Sequence, residues 1–152
     1  MIFVRLRRDG ACGQFCPEWI LAQGVITPDT PERLRKMLHQ MGGAKLPIVF
    51  DSVGGDIDAA MEIGRMARQH RLTTVLARSS AENCNPRNDA CRRMTANSAL
   101  RGTHLLHRPN CGAACLLAFA GGVTRYGSWA GDLVMPSPVC SQRARAAERR
   151  NS

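Results

Sequence analysis

Two cysteine pairs share one spacing: Cys12 with Cys16, and Cys111 with Cys115. On a helix, residues four apart lie on one face. Two such C-x₃-C units can supply four sulfur ligands to tetrahedral zinc, but in an oxidising compartment disulfides between loop and helix are favoured over zinc, and in the cytoplasm free buried thiols are the default. Cys111 has a further option. It opens the apolar stretch CGAACLLAFAG, residues 111–121, and a helix dipole at that end favours a thiolate, the nucleophilic form of sulfur. His104 and His107, in HLLHRP, lie just before it in sequence, and a histidine beside a cysteine is the elementary thiol-hydrolase pair. Without such a pairing, the histidines are loop residues and Cys111 is packed or disulfide-bonded. Ser98 and Ser128 are hydroxyl nucleophile candidates outside any motif. Cys84 and Cys91 flank a polar stretch that a disulfide between them would staple.

A different chemistry sits at Gly54–Gly55, between the apolar run LPIVFDS and the segment DIDAAMEIGRMARQH. Glycines here let a substrate carbonyl approach backbone amides, at the positive end of the following helix. Losing one oxyanion donor costs a working hydrolase roughly 10²–10³ in rate. The plainer reading is a tight strand-to-helix turn. Asp56 and Asp58 fall in the first turn of that helix, where the dipole stabilises carboxylates. Being two apart, they do not face one another as an acid pair. His39 reads as a surface residue of an earlier helix.

Positioning these groups requires elements on either side. IFVRLR (2–7) alternates apolar and basic residues, as a strand does, and WILAQGVI reads as a short strand or turn region. TPDTPERLRKMLHQMGG predicts a helix: Thr30 as cap, Pro31 at the first helical position, Glu32 in the first turn, Gly42–Gly43 as the stop. Leu34, Met37, Leu38 and Met41 share its apolar face. LPIVFDS (46–52) fits a buried parallel-type strand. Residues 56–70 predict a helix whose stripe of Ile57, Ala60, Met61, Gly64 and Ala67 permits close approach to a sheet. TTVLAR (73–78) completes a strand–helix–strand unit. Residues 79–110 read as a polar, irregular, cysteine-bearing loop, with room for a short helix near 90–100. Residues 111–121 read as a fully buried helix, ended by Gly121–Gly122. VTRYGS and DLVM read as short strands. The tail, 139–152, is basic and polar and expected to be disordered. The division is therefore one domain over 1–138 and a tail.

With these elements in place, IVFDSVGGDIDAAMEIGRMAR followed by CGAACLLAFAGGVTRYG resembles the Clp protease proteolytic subunit and the crotonase superfamily. It looks most like a bacterial branch of Clp-protease-like proteins, often expected to be exported. The resemblance spans roughly residues 14–135. It implies an α/β fold, a partial spiral of ββα units with a mostly parallel sheet. It also implies that Gly54–Gly55 is an oxyanion turn, and that a serine nucleophile stands at the start of the second buried helix with a histidine on a later strand. Counted back from Gly121–Gly122, the serine position holds Ala113; sequences of that branch read C-x-S-A-C where this chain reads Cys-Gly-Ala-Ala-Cys. The histidine position falls at Met135 or Pro136. The aspartate lies in a segment this chain hardly has. Alanine cannot attack and a thioether cannot take a proton. The expectation is a Clp-protease-like protein without serine-peptidase activity, an assembly partner or a degenerate or truncated copy. The bias of PSPVCSQRARAAERRNS toward Arg, Ala, Ser and Pro matches a shifted reading frame of GC-rich DNA. The alternative is a hydrolase with Cys111 as nucleophile.

Composition bounds the rest. The chain has 152 residues, enough for one core. Aromatics are 5%, so that core rests on aliphatic side chains. A net charge of +9 favours acidic partners, which leaves a nucleic-acid or membrane-surface module as a third reading. The basic residues are scattered and lack interleaved aromatics, so nucleic-acid binding is not expected. Neither a metal nor a cofactor is expected. Self-association or pairing with a related Clp-like subunit is, because an incompletely covered sheet exposes apolar surface. No segment reaches the roughly 20 apolar residues of a membrane span. The start, MIFVRLRRDG, lacks a signal-peptide core, which as written implies the cytoplasm, or the periplasm if the true N-terminus is missing. Seven cysteines favour an oxidising compartment instead.

Overall fold

Three stretches of aliphatic sequence, IFVRLRR, EWILAQ and IVFD, form adjoining strands: β1 (Ile2–Arg8), β2 (Glu18–Gln23) and β3 (Ile48–Asp51). They belong to a computed structural model that describes residues 1–8, 17–81, 99–105 and 109–127, with 103–105 described by backbone alone. The remaining elements are α1 (Thr30–Gln40), α2 (Ile57–Gln69), β4 (Thr73–Leu76), β5 (Arg78–Ala81), β6 (Leu100–Leu105), α3 (Ala113–Ala120) and β7 (Thr124–Gly127). The strands form one sheet in the order β5-β6-β1-β2-β3-β4-β7.

The fold is α/β, but the sheet is mixed rather than mostly parallel. Helical crossovers through α1 and α2 make β2, β3 and β4 parallel, and β7 joins β4 in the same sense. The pairs β1–β2 and β5–β6 are antiparallel. Antiparallel neighbours need no crossover helix, and no helix is described between β1 and β2 or between β5 and β6. Strands β5 and β6 also correct the expectation of an irregular loop over 79–110: the backbone of Arg78–Ala81 pairs with that of Gly102–Leu105. Polar strands such as RSSA carry no apolar alternation to announce them.

Period-two alternation divides the core. Phe3, Ile20, Ala22, Ile48 and Phe50 share one cluster with buried residues of α1, α2 and α3. Val4, Leu6, Trp19, Leu21 and Val49 form a second cluster with Ala77. The sheet curls to close that second face: Trp19 of β2 donates from Nε1 to Ser79 Oγ of β5 at 3.0 Å, although two strands lie between them. Burying an indole N–H is sustained by such a partner.

The first helix starts differently from expectation. Asp29, not Thr30, holds the cap position, without a capping side-chain bond. Thr30 Oγ1 instead accepts the Thr27 N–H at 2.9 Å. The Thr27 hydroxyl donates to Asp29 Oδ1 and Arg33 lies beside it, which together hold the Asp29 carboxyl below its ordinary range. In α2, Asp56 is the cap: its Oδ1 accepts the Ala59 N–H at 2.8 Å. The buried face of α2 is Ala59, Ala60, Ile63, Gly64, Met66 and Ala67, while Ile57 is exposed. Ala60, Gly64 and Ala67 of the predicted stripe are on that face, whereas Ile57 and the half-buried Met61 are not. Helix α3 is not buried all round either; Ala114, Cys115 and Ala118 are covered, but Leu117 is 42% exposed. No helix among the described residues is long and apolar enough to cross a membrane.

Candidate functional site

The chain passes from β3 into α2 through Ser52, Val53, Gly54, Gly55 and Asp56. Gly54 and Gly55 have φ of +100° and +140°, a region that side-chain-bearing residues rarely enter. A methyl group on Gly55 would land on the backbone of Ile26. The turn is tied to that neighbouring segment: Ile26 N–H donates to Gly54 O at 2.8 Å and Asp56 N–H to Ile26 O at 3.0 Å. Ser52 completes the scaffold. Its hydroxyl donates to Gly24 O at 2.7 Å, and its Oγ accepts the Gly54 N–H at 3.1 Å. The Gly54 amide is therefore occupied within the turn. Gly55 is exposed, and its N–H makes no hydrogen bond among the described residues.

The start of α3 is laid against this turn. Beyond β3, Ser52 bridges in parallel to Cys111. Ser52 N–H donates to Asn110 O at 2.7 Å, and Gly112 N–H donates to Ser52 O at 3.0 Å. Asp51, buried, draws in the same segment by accepting the Asn110 N–H at 3.4 Å on Oδ1, while Gln23 Nε2 donates to its Oδ2 at 3.2 Å. A Cβ on Gly54 would sit 3.6 Å from Gly112 Cα and 3.7 Å from Ala113 N. Gly112 itself admits no side chain, because a Cβ there would strike Val53 O. Gly54 thus adjoins the backbone of Gly112 and Ala113 across segments more than fifty residues apart in sequence.

Ala113 is half-buried and is the first residue of α3. Cys111 is buried and joined to Cys115 by a disulfide. In that state it offers no thiolate. Met135, Pro136, Cys12, Cys16, Cys84, Cys91, His107, Ser98 and Ser128 lie outside the described residues, as do the predicted strand DLVM, the short helix near 90–100 and the tail. His104 falls in β6, its backbone opposite Ser79. His39 is exposed on α1. Among the described residues, no group of three or more His, Cys, Asp or Glu side chains is arranged to hold a metal ion.

The far end of α3 is fixed by other glycines. A Cβ on Gly64 of α2 would lie 2.9 Å from Leu117 O, and one on Gly121 would strike the Gly64 backbone. Thr74 Oγ1 donates to Phe119 O at 2.7 Å. Helix α3 is therefore held at both ends, by the turn at its start and by α2 and β4 at its finish. The apolar side chains next to the turn stay open: Val53 is 69% exposed, Ile57 56% and Val25 52%.

Sequence reasoning found the glycine turn and Ala113 but missed Ser52, Asp51 and Gly112, which set their relation. Ser52 carried a faint signal, a hydroxyl two residues before the glycines. Asp51 and Gly112 carried none, because their partners come from distant segments. No family model, curated protein or solved structure matches the chain.

Proposed function

We propose that this chain is a Clp-protease-like protein without peptidase activity, serving as an assembly partner or persisting as a degenerate copy. The observation that carries the reading is the approach of Gly54 to the backbone of Gly112 and Ala113 at the start of α3. A hydrolase of that type requires a donor turn and a helix N-terminus in contact, with a hydroxyl between them. Here Gly54 adjoins the backbone at the start of α3, and position 113, where that chemistry needs a hydroxyl, is alanine. The partial spiral of ββα units remains part of this proposal; β2–α1–β3 and β3–α2–β4, side by side in one sheet, are compatible with it.

The exposed Val25, Val53 and Ile57 beside the turn supply an apolar surface suited to a second copy or a related subunit. A nucleic-acid or membrane-surface role is less well supported. Arg5, Arg33 and Arg35 each pair with a carboxylate, Arg35 with two, so part of the positive charge is neutralised locally.

The test is hydrolysis of a mixed panel of fluorogenic peptides and acyl esters by the wild-type chain and Cys111→Ala, with and without reductant. The expected result is no turnover above buffer for either protein in either condition. Turnover by the reduced wild type that disappears in Cys111→Ala would replace this reading with that of a thiol hydrolase.

A further inference from the structure

Cys111 and Cys115 are joined across only four positions, astride the start of α3. A disulfide stabilises a fold chiefly by restricting the unfolded chain, and the restriction grows with the loop it closes. This loop is near the minimum, so a purely structural staple is poorly served by it. What the bond does fasten is specific. Cys111 belongs to the segment bridged to Ser52, and Cys115 to the first turn of α3. Between them, Gly112 donates to Ser52 O and accepts from Leu116 N–H, each at 3.0 Å. The bond therefore encircles the residue that touches the glycine turn.

The two cysteines are not equivalent. Cys111 retains 7% exposure and Cys115 none. The first intrahelical bond is Leu116 N–H to Gly112 O, so the amides of Ala113 and Ala114 point from the helix start without intrahelical acceptors. Amides at a helix start favour an anionic sulfur beside them. Both cysteines also lie in the apolar cluster, where reduced cysteine packs as a small hydrophobic side chain.

We infer that Cys111 and Cys115 form a reversible dithiol–disulfide couple that exchanges with an external dithiol and fastens the start of α3 beside the glycine turn. In reduction, one thiolate of the external dithiol attacks Cys111 Sγ and the Cys111–Cys115 bond breaks. Cys115 leaves as a thiolate and takes up a proton. The second thiol of the reagent then attacks its own sulfur in the mixed disulfide and releases Cys111, which is protonated in turn. The reagent is oxidised by two electrons to its disulfide, and the protein gains two electrons and two protons. This inference is independent of whether the chain hydrolyses anything.

The experiment uses the full chain, equilibrated natively with dithiothreitol and then with oxidised glutathione. Differential alkylation with peptide mass spectrometry reads each cysteine, and far-ultraviolet circular dichroism reads the fold. The expected result is loss of the linked 111–115 peptide under dithiol and its return on reoxidation, with the spectrum unchanged. In pulsed alkylation of the reduced chain, Cys111 is modified before Cys115. A Cys115→Ala variant is expected to accumulate a glutathione adduct at Cys111. A bond that yields only on denaturation, reduction that abolishes the fold, reoxidation to other partners, or faster labelling at Cys115 would each overturn the inference. Should Cys115→Ala not fold, the wild-type alkylation order still decides.

Discussion

The glycine pairs at 54–55 and 121–122 look alike in sequence, but only the first needs a backbone conformation that favours glycine. Gly121 has an ordinary helical backbone, φ −67°, and is glycine because the backbone of α2 lies against it. Gly54 has φ +100°, yet a Cβ there would meet only ordinary contacts, at 3.6 Å and beyond. Gly55 combines both demands, with φ +140° and the Ile26 backbone in the way. One region therefore spends its missing side chains on packing. The other spends them on a backbone path that leaves an exposed amide beside a helix start. A third pair, Gly42–Gly43, also has positive φ but nothing within 4 Å, and only ends α1.

Substitution separates these demands by size. Gly121→Ala forces a methyl group into the α2–α3 contact, where neither backbone can yield cheaply. Overpacking of this kind costs about 3 kcal/mol, and chemical denaturation should show a correspondingly lower midpoint. A loss below about 1 kcal/mol would mean that the helices are not in backbone contact. Gly54→Ala makes only ordinary van der Waals contacts and suffers chiefly the backbone penalty of about 1–2 kcal/mol. If Gly54→Ala proved the more damaging of the two, the division between packing glycines and turn glycines would be reversed.

Much of this arrangement was legible because it is local. The strand–turn–helix from Ile48 to Gln69 is written in an apolar run, a glycine pair and an amphipathic helix, and its boundaries matched expectation closely. Errors came where tertiary context decides. Thr30 was a credible cap by type, but Thr27 claims its hydroxyl. RSSA has no strand pattern, yet pairs with β6. The all-apolar α3 suggested complete burial, but the described structure covers only part of its circumference. Within the site, sequence could mark Gly54, Gly55 and Ala113 separately. Their contact depends on Ser52 and Asp51 gripping the backbone of Asn110 and Gly112, a long-range pairing that no local pattern encodes.

That contact supports both the reading of an empty catalytic frame and the placement of the redox couple. It is most directly tested by nuclear Overhauser spectroscopy on the isotopically labelled chain, observing Gly54 α-protons against the amide protons of Gly112 and Ala113. Cross-peaks between these residues are the predicted result, given the separations of 3.6 and 3.7 Å from the Gly54 Cβ position to Gly112 Cα and Ala113 N. Assigned resonances without such cross-peaks would mean that the glycine turn and the start of α3 are apart, and would contradict the account at its base.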